Sequence, residues 1–106
     1  MIKGDIVLIT FPFTDLSGSK LRPAIILATN KLDVTVCFIT TQIPFLESTD
    51  IQIKPSQYNG IKQPSLIRTS KIATLDKTLV KGLIGQLSAD EIRLINTHLK
   101  LLFQII

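Results

Sequence analysis

The chain has 106 residues and a mass of 11.8 kDa, the size of one domain, which excludes an enzyme with a separate cofactor-binding domain. Apolar residues make up 45% and charged residues 19%, which excludes a disordered chain. The net charge of +4 is concentrated in residues 54–106, which hold eight basic and three acidic side chains. This charge fits an RNA or DNA partner and a solvated lysine-rich surface equally well.

Three strands are predicted in the first half of the chain. They are short, apolar and rich in β-branched side chains, and they cover residues 5–11, 24–28 and 34–40. A polar loop over residues 14–20 follows the first strand, and Pro23 is predicted to start the second. Loops this short leave no room for crossover helices, so the strands are predicted to pair antiparallel.

The second half is predicted to add shorter strands and one helix. The strand segments are residues 50–53, 65–69, 71–74 and 82–87, with a kink between the second and third. Asp76 is placed to cap a single helical turn. A capping box from Ser88 to Glu91 starts the helix, and a core stripe follows it at helical spacing: Ile92, Ile95, Leu99, Leu102 and Ile106. The pattern predicts a small antiparallel β-barrel with a C-terminal helix, over residues 1–106 as one domain.

The helix carries a second apolar row beside this stripe. It consists of Leu94, Leu101 and Ile105. A wider contact with the core and a contact with a partner subunit both explain this row. The mean hydropathy of +0.38 indicates more apolar residues than one small core buries, and this surplus favours a homo-oligomer.

Cysteine usage and the N-terminus indicate a cytoplasmic protein. Cys37 is the single cysteine, so an internal disulfide is impossible, and its apolar surroundings predict a buried, inert thiol. Asp5 interrupts the first apolar stretch before it reaches the length of a signal-peptide core. The sequence has no apolar window of membrane-spanning length, so no membrane span is predicted.

The residue types available narrow the chemistry. His98 is the single histidine and lies in the middle of the predicted helix, so we expect neither a zinc site nor another metal or cofactor. Ser17 and Ser19 have no histidine base nearby, and the sequence has no glycine-rich phosphate loop. Any reaction must therefore use arginine, lysine, hydroxyl groups, carboxylates and the backbone.

Three segments resemble the PemK/MazF-like toxin family. Residues 4–27, GDIVLITFPFTDLSGSKLRPAIIL, resemble its opening, in which a Gly-Asp-Ile/Val strand leads to a Gly-Ser loop, Arg-Pro and an apolar strand. Residues 39–42, ITTQ, are similar to its Ile-Thr-x-Gln segment. Residues 65–76 are similar to its Ser-Val-Ile…Ile-x-Thr-Ile-Asp stretch. The resemblance implies an SH3-like barrel with a C-terminal helix, in agreement with the strand pattern.

The resemblance also implies an activity. Members of the family are usually homodimers and act as sequence-specific, metal-independent endoribonucleases that cut single-stranded mRNA. A cognate antitoxin neutralises them by wrapping a disordered segment over the RNA groove. The family's catalytic arginine and threonine fall on Arg22 and Thr40. Thr41 points to the opposite face of its strand, and the resemblance selects Thr40 over it.

Two departures from the family pattern affect the expected RNA preference. The loop before Arg22 is shorter than in many members, and Lys20 replaces an acidic residue there. Ser70 and Lys71 stand where some members carry a Glu-Gln pair that reads bases. These departures change the groups that are expected to meet the RNA.

The implied residues suit cleavage by the ribose 2′-hydroxyl. A guanidinium stays protonated at neutral pH and matches phosphate geometry, so Arg22 is suited to stabilise a phosphorane. The hydroxyl of Thr40 can donate to a phosphoryl oxygen or relay a proton. The predicted products are a 2′,3′-cyclic phosphate and a 5′-hydroxyl.

RNA binding is expected to combine phosphate contacts with base stacking and base-edge hydrogen bonds. Phe11, Phe38 and Phe103 are predicted to lie in the core. The predicted RNA contacts are Phe13, Ser17, Ser19, Lys20, Gln42, Arg68, Ser70 and Lys71.

Two other functions use the same fold. A non-enzymatic toxin that binds a protein target such as DNA gyrase shares this barrel, and an inactive member would only bind nucleic acid. Arg-Pro followed by Ile-Thr-x-Gln favours the nuclease, as does the basic second half of the chain.

Overall fold

The computed structural model describes residues 1–12, 19–43 and 46–106. The elements in these ranges agree with the predicted order of strands and helix. They are β1 (Asp5–Pro12), β2 (Ser19–Thr29), β3 (Asp33–Thr40), β4 (Asp50–Ile53), β5 (Ser65–Asp76), β6 (Val80–Gln86) and α1 (Ala89–Phe103). Asp76 caps a 3₁₀ turn, Lys77–Leu79, that joins β5 to β6, and the two segments predicted at 65–69 and 71–74 form one strand.

The six strands form one sheet in the order β4-β5-β3-β2-β1-β6, and every neighbouring pair is antiparallel. In the described part of the chain no ladder joins the edge strands β4 and β6, so the predicted barrel is only an approximation. The segment after β4 lies along β6 instead. There the Gln86 N–H donates to the Tyr58 carbonyl oxygen at 2.9 Å. This hydrogen bond between β6 and the loop stands where a β4–β6 ladder would close a barrel.

Glycine is required where this loop meets β6. A Cβ atom at Gly85 would lie 2.4 Å from the carbonyl oxygen of Tyr58. Gly60 has a φ of +68°, and a Cβ atom there would lie 2.5 Å from the carbonyl oxygen of Ile84. Any side chain at either position would push the loop away from the strand.

Strand β2 is longer than predicted. It begins at Ser19, so that Lys20 lies in the strand, and Pro23 is an interior residue paired with Leu8 of β1. The β2–β3 ladder includes Ala24 but does not extend to Pro23, the residue before it. Proline is tolerated here because it has no ladder partner on β3.

Alternation along the strands creates two cores, one on each face of the sheet. Ile95 of α1 is buried on the first face, and Ile92 and Leu99 pack beside it. The first cluster contains Ile6, Ile25, Cys37, Ile39, Ile51, Ile53, Ile67, Leu87 and Ile95. The second cluster, on the opposite face, contains Val7, Ile9, Ala24, Ile26, Val34 and Val36. The helix therefore covers one of the two faces.

The helix begins as predicted and ends earlier. Ser88 Oγ accepts from the Glu91 N–H at 3.1 Å, and Glu91 Oε1 accepts from the Ser88 N–H at 2.8 Å, which confirms the capping box. Helix α1 ends at Phe103, and Gln104 adopts a left-handed conformation with φ of 57°. Ile106 lies beyond this end and is fully exposed, so its assignment to the core stripe was wrong. Phe103 is 58% exposed and is not a core residue either.

The second apolar row of α1 faces away from the core. Leu94 and Leu101 are 43% and 71% exposed, and Ile105, which lies beyond the end of the helix, is 59% exposed. The alternative of a wider core contact is therefore wrong for this row. Within the described ranges, no helix has the length and apolar character needed to cross a membrane.

Candidate active site

Arg22 lies on the face of the sheet that α1 leaves uncovered. Paired residues on neighbouring strands share a face. Arg22 pairs with Ile9, which is buried in the second cluster, and Phe38 pairs with Ala24 of the same cluster. Arg22 and Phe38 therefore lie on the face opposite to α1, and the side chain of Arg22 is exposed there.

An open cavity of about 390 Å³ lies beside Arg22. Its basic groups come from two strands that are distant in sequence, with Arg22 on β2 and Lys71 on β5. The lining residues are Phe11, Arg22, Phe38, Ser70, Lys71, Ile72 and Ala73. The cavity thus combines two cations, a hydroxyl group and an apolar wall.

A three-residue bulge in β5 supplies Ser70 and Lys71 to the cavity. Cys37 of β3 pairs with Ile72, but its neighbour Phe38 pairs with Arg68. Residues 69–71 therefore have no partner on β3. The bulge is the predicted kink, and unpaired bulge residues are free to project from the ladder in a new direction.

Thr40 lies on the same face as Arg22. It stands two positions after Phe38 on β3, and side chains two positions apart share a face. Arg22 stands two positions before Ala24, the partner of Phe38, so both Arg22 and Thr40 share the face of that pair. Thr40 is half-buried, and its Oγ1 accepts from the Gln42 N–H at 3.2 Å. A hydroxyl group so placed still has its own proton to donate.

Thr41 lies on the other face. It lines a separate cavity of about 200 Å³ together with Pro23 and Ile39. Ile39 belongs to the cluster beneath α1. The geometry therefore favours Thr40 over Thr41 as the hydroxyl beside Arg22.

Other described residues that were predicted to contact RNA lie at the ends of β2 and β3. Lys20 pairs with Phe11 across β1 and β2, on the cavity's face, and is exposed. Gln42 is exposed just beyond the end of β3. Ser19 opens β2 opposite Pro12. Phe13 and Ser17 lie outside the described residues.

Arg68 is held by carboxylates and does not line the cavity. Its Nη1 is 3.2 Å from Asp50 Oδ2 and 3.7 Å from Glu47 Oε1. The side chain of Arg68 is 14% exposed and that of Asp50 is fully buried. A direct phosphate contact by Arg68 remains a prediction, and a phosphate would compete with these two carboxylates.

Phe11 and Phe38 were predicted to lie in the core, and this was only partly right, because Phe38 packs against the second cluster but neither ring is fully buried. Both are half-buried and line the cavity, with ring centroids 5.0 Å apart and an angle of 77° between the ring planes. Both lie in apolar strands, so strand patterning alone could not separate them from core residues. The position of Phe11 at the end of β1, next to a polar loop, was the available signal.

The single histidine lies away from this cavity. His98 Nδ1 is 3.0 Å from the Leu94 carbonyl oxygen within α1, on the opposite side of the sheet. Among the side chains that the structure describes, no group of three or more His, Cys, Asp or Glu residues is placed to hold a metal ion.

Comparison with known proteins gives one family and several similar structures. Residues 2–103 match the family model of the PemK-like, MazF-like toxin of type II toxin–antitoxin systems. No curated protein sequence matches the chain significantly.

Three solved structures have the same fold. An endoribonuclease in complex with its cognate antitoxin, from a mycobacterial species, is 20% identical, with a TM-score of 0.76, over 100% of this chain and 97% of the other. The Mycobacterium tuberculosis toxin MazF-mt6 is 23% identical, with a TM-score of 0.74, over 94% and 98%. An endoribonuclease from a mycobacterial species is 20% identical, with a TM-score of 0.74, over 98% and 91%.

Proposed function

This chain belongs to the PemK-like, MazF-like toxin family of type II toxin–antitoxin systems, and we propose that it is a sequence-specific endoribonuclease that cuts single-stranded mRNA. The observation that carries the proposal is the cavity in which exposed Arg22 lies with Lys71 and Ser70. Two of the structurally similar mycobacterial proteins are described as endoribonucleases, which supports the same reaction class.

In the proposed reaction the ribose 2′-oxygen attacks the adjacent phosphorus. The bond from phosphorus to the 5′-oxygen of the next nucleotide then breaks. The proton leaves the 2′-hydroxyl and a proton reaches the 5′-oxygen, which gives a 2′,3′-cyclic phosphate and a 5′-hydroxyl. No metal is required in this scheme, because the nucleophile is part of the substrate.

Arg22 is proposed to stabilise the pentacovalent phosphorane. Its guanidinium offers planar paired donors to two phosphoryl oxygens and carries a permanent positive charge. Charge stabilisation by groups already in position is the largest single contribution to many enzymatic rates. Its exposed position at the cavity allows a phosphodiester to reach it without a change in the sheet.

Thr40 is proposed as the second catalytic group. The Gln42 N–H occupies one lone pair of its oxygen and helps to orient the hydroxyl. The hydroxyl proton is then available for a phosphoryl oxygen or for the leaving 5′-oxygen. Proton transfer is the weaker part of this mechanism, and positioning and electrostatic stabilisation carry more of the rate.

The proposed RNA path extends from Arg22 to both sides. Lys20 and Lys71 contact neighbouring phosphates, since both are exposed on this part of the molecule. Ser70 meets a base edge. Phe13, Ser17, Ser19 and Gln42 are proposed contacts on the same path, and Phe11 and Phe38 form an apolar wall on which a base can rest.

Two protein partners are proposed in addition to RNA. The first is a second copy of this chain, because the second apolar row of α1 is exposed, and a homodimer would bury apolar surface of this kind. The second is a cognate antitoxin, by analogy with the mycobacterial endoribonuclease that is seen in complex with one. A cytoplasmic location fits mRNA as the substrate and a chain with one free, buried cysteine.

Analysis of product ends tests the proposed reaction. Purified protein is incubated with a long single-stranded RNA in EDTA, and the fragments are examined by mass spectrometry. Discrete fragments with 2′,3′-cyclic phosphate and 5′-hydroxyl ends are expected. A 5′-phosphate would contradict the proposed chemistry. Intact RNA together with inhibited DNA supercoiling by gyrase would support the non-enzymatic toxin instead.

A further inference from the structure

The bulge that brings Ser70 and Lys71 to the cavity is fixed at one end by polar contacts that contribute nothing to the cavity lining. The hydroxyl of Thr69, a fully buried residue, donates to the Thr49 carbonyl oxygen at 2.5 Å. At the preceding position, Arg68 contacts buried Asp50. Both contacts join β5 to the start of β4.

These contacts replace the backbone ladder that the bulge lacks. Residues 69–71 have no partner on β3, and the β4–β5 ladder begins at the pair Asp50 and Arg68. Thr69 therefore lies just beyond the last ladder pair on both sides. Its side-chain hydrogen bond to Thr49 supplies the link that regular pairing supplies elsewhere in the strand.

The ion pair is itself firmly held. Asp50 Oδ2 accepts from the Glu47 N–H at 2.8 Å as well as from Arg68 Nη1 at 3.2 Å. Glu47 Oε1 lies 3.7 Å from the same guanidinium nitrogen. A buried carboxylate requires such partners, so Arg68 has a fixed position relative to β4.

We propose that Arg68, Asp50 and Thr69 are positioning residues that set the distance from Ser70 and Lys71 to Arg22 and thereby determine which RNA sequence is cut. The inference rests on the proposed ribonuclease function. It assigns Arg68 to support of the bulge and not to direct contact with phosphate. Since small displacements of binding groups lower catalytic rates strongly, loosening the bulge changes both rate and base preference.

Thr69→Val tests the proposal, because valine keeps the shape of threonine and removes the hydroxyl group. The matched control is Thr35→Val, which removes an exposed hydroxyl contact of 2.8 Å between Thr35 of β3 and Thr74 of β5. Single-turnover cleavage, the distribution of cut sites across a long RNA, the Kd for RNA and the thermal unfolding midpoint are measured for each variant.

Thr69→Val is expected to cut about 10- to 100-fold more slowly, with a broadened set of cut sites, while Thr35→Val matches the wild type. Thr69→Ser, which restores a hydroxyl group, recovers both rate and cut-site distribution. An unchanged cut-site distribution in folded Thr69→Val would overturn the positioning role.

Arg68→Lys covers the case in which Thr69→Val does not fold. A lysine keeps a cation beside Asp50, but one ammonium group cannot hold the fork-like contacts of a guanidinium. An altered cut-site distribution supports the proposal. Weaker RNA binding with an unchanged cut-site distribution would make Arg68 a phosphate ligand and overturn the proposal. The wild-type reaction is examined first. If the wild-type protein leaves RNA intact, the proposed ribonuclease function itself is overturned, before any variant is compared.

Discussion

The rings of Phe11 and Phe38 meet edge to face over strand β2, with centroids 5.0 Å apart. One ring comes from β1 and the other from β3, so the contact ties together both neighbours of the strand that carries Arg22. The pair forms the apolar wall of the cavity on the uncovered face. The two rings therefore hold the cavity wall in place from both sides of β2.

Phe38→Leu is predicted to weaken RNA binding. Stacking of a base on an aromatic side chain contributes about 1–3 kcal/mol, so the Kd should rise by about 5-fold to 150-fold. Binding is measured by fluorescence anisotropy with a short single-stranded RNA. Phe103→Leu is the control, since Phe103 is exposed at the far end of α1. An equal loss in both variants would show that Phe38 has no specific contact with RNA.

Thr40→Val and Thr41→Val form a matched pair at neighbouring positions. Loss of one donor to a developing negative charge lowers kcat by about 100-fold or more, so we expect that effect from Thr40→Val. Thr41→Val should cleave like the wild type, because Thr41 lines the cavity on the face of the sheet that α1 covers. Initial cleavage rates at saturating RNA are measured for both variants and show which threonine supplies the hydroxyl group. The opposite order of activities would move the catalytic hydroxyl to Thr41.

Gly85→Ala is predicted to destabilise the fold. The added methyl group would lie 2.4 Å from the Tyr58 carbonyl oxygen, and overpacking of this kind costs about 1–3 kcal/mol of unfolding free energy. Gly82→Ala, on the same strand, meets no atom within 4 Å and should change stability by less than about 0.5 kcal/mol. Urea unfolding midpoints measure both. Equal unfolding midpoints for the two variants would mean that the loop after β4 does not pack against β6.

The stability of the protein is predicted to fall at alkaline pH because of Cys37. Burial raises the pKa of this thiol from 9.0 to about 12. The unfolded chain releases the thiol proton near its ordinary pKa, whereas the folded chain retains it. The stabilising contribution is therefore complete below pH 9 and is lost as the pH rises from 9 towards about 12.

Cys37→Ala isolates this effect. The free energy of unfolding of the wild type should decrease more steeply with pH above 9 than that of the variant. Parallel pH profiles of the two proteins would contradict the assignment to Cys37, whatever the difference in their absolute stability.

Local features of the fold were predictable from the sequence. The start of α1 depends on Ser88 and Glu91, which meet through backbone groups of the same turn, so neighbours in sequence suffice. The turn before β3 is equally local, because Asn30 Oδ1 accepts from the Asp33 N–H. Runs of β-branched residues located the centre of each strand, although β2 begins at Ser19, well before its predicted start.

Features that depend on distant partners were not predictable in the same way. Pro23 resembles a strand start, and only the register with β1 and β3 shows how a proline fits inside β2. The β4–β6 gap depends on where the loop after β4 lies. Arg68 illustrates the same point in the site, since its carboxylate partners come from β4 and the residues before it. From the sequence, a basic residue beside a kink is expected to contact RNA, and only the structure shows that Arg68 is paired with carboxylates.

The most direct measurement compares cleavage of single-stranded RNA by the wild type, Arg22→Ala and Arg93→Ala. Both arginines are exposed, but Arg93 lies on α1, where it pairs with Asp90 and faces away from the cavity. Arg22→Ala should lose at least about 100-fold in rate with an unchanged unfolding midpoint, whereas Arg93→Ala should retain full activity. Cleavage by Arg22→Ala at the wild-type rate would contradict the assignment of the active site to this cavity.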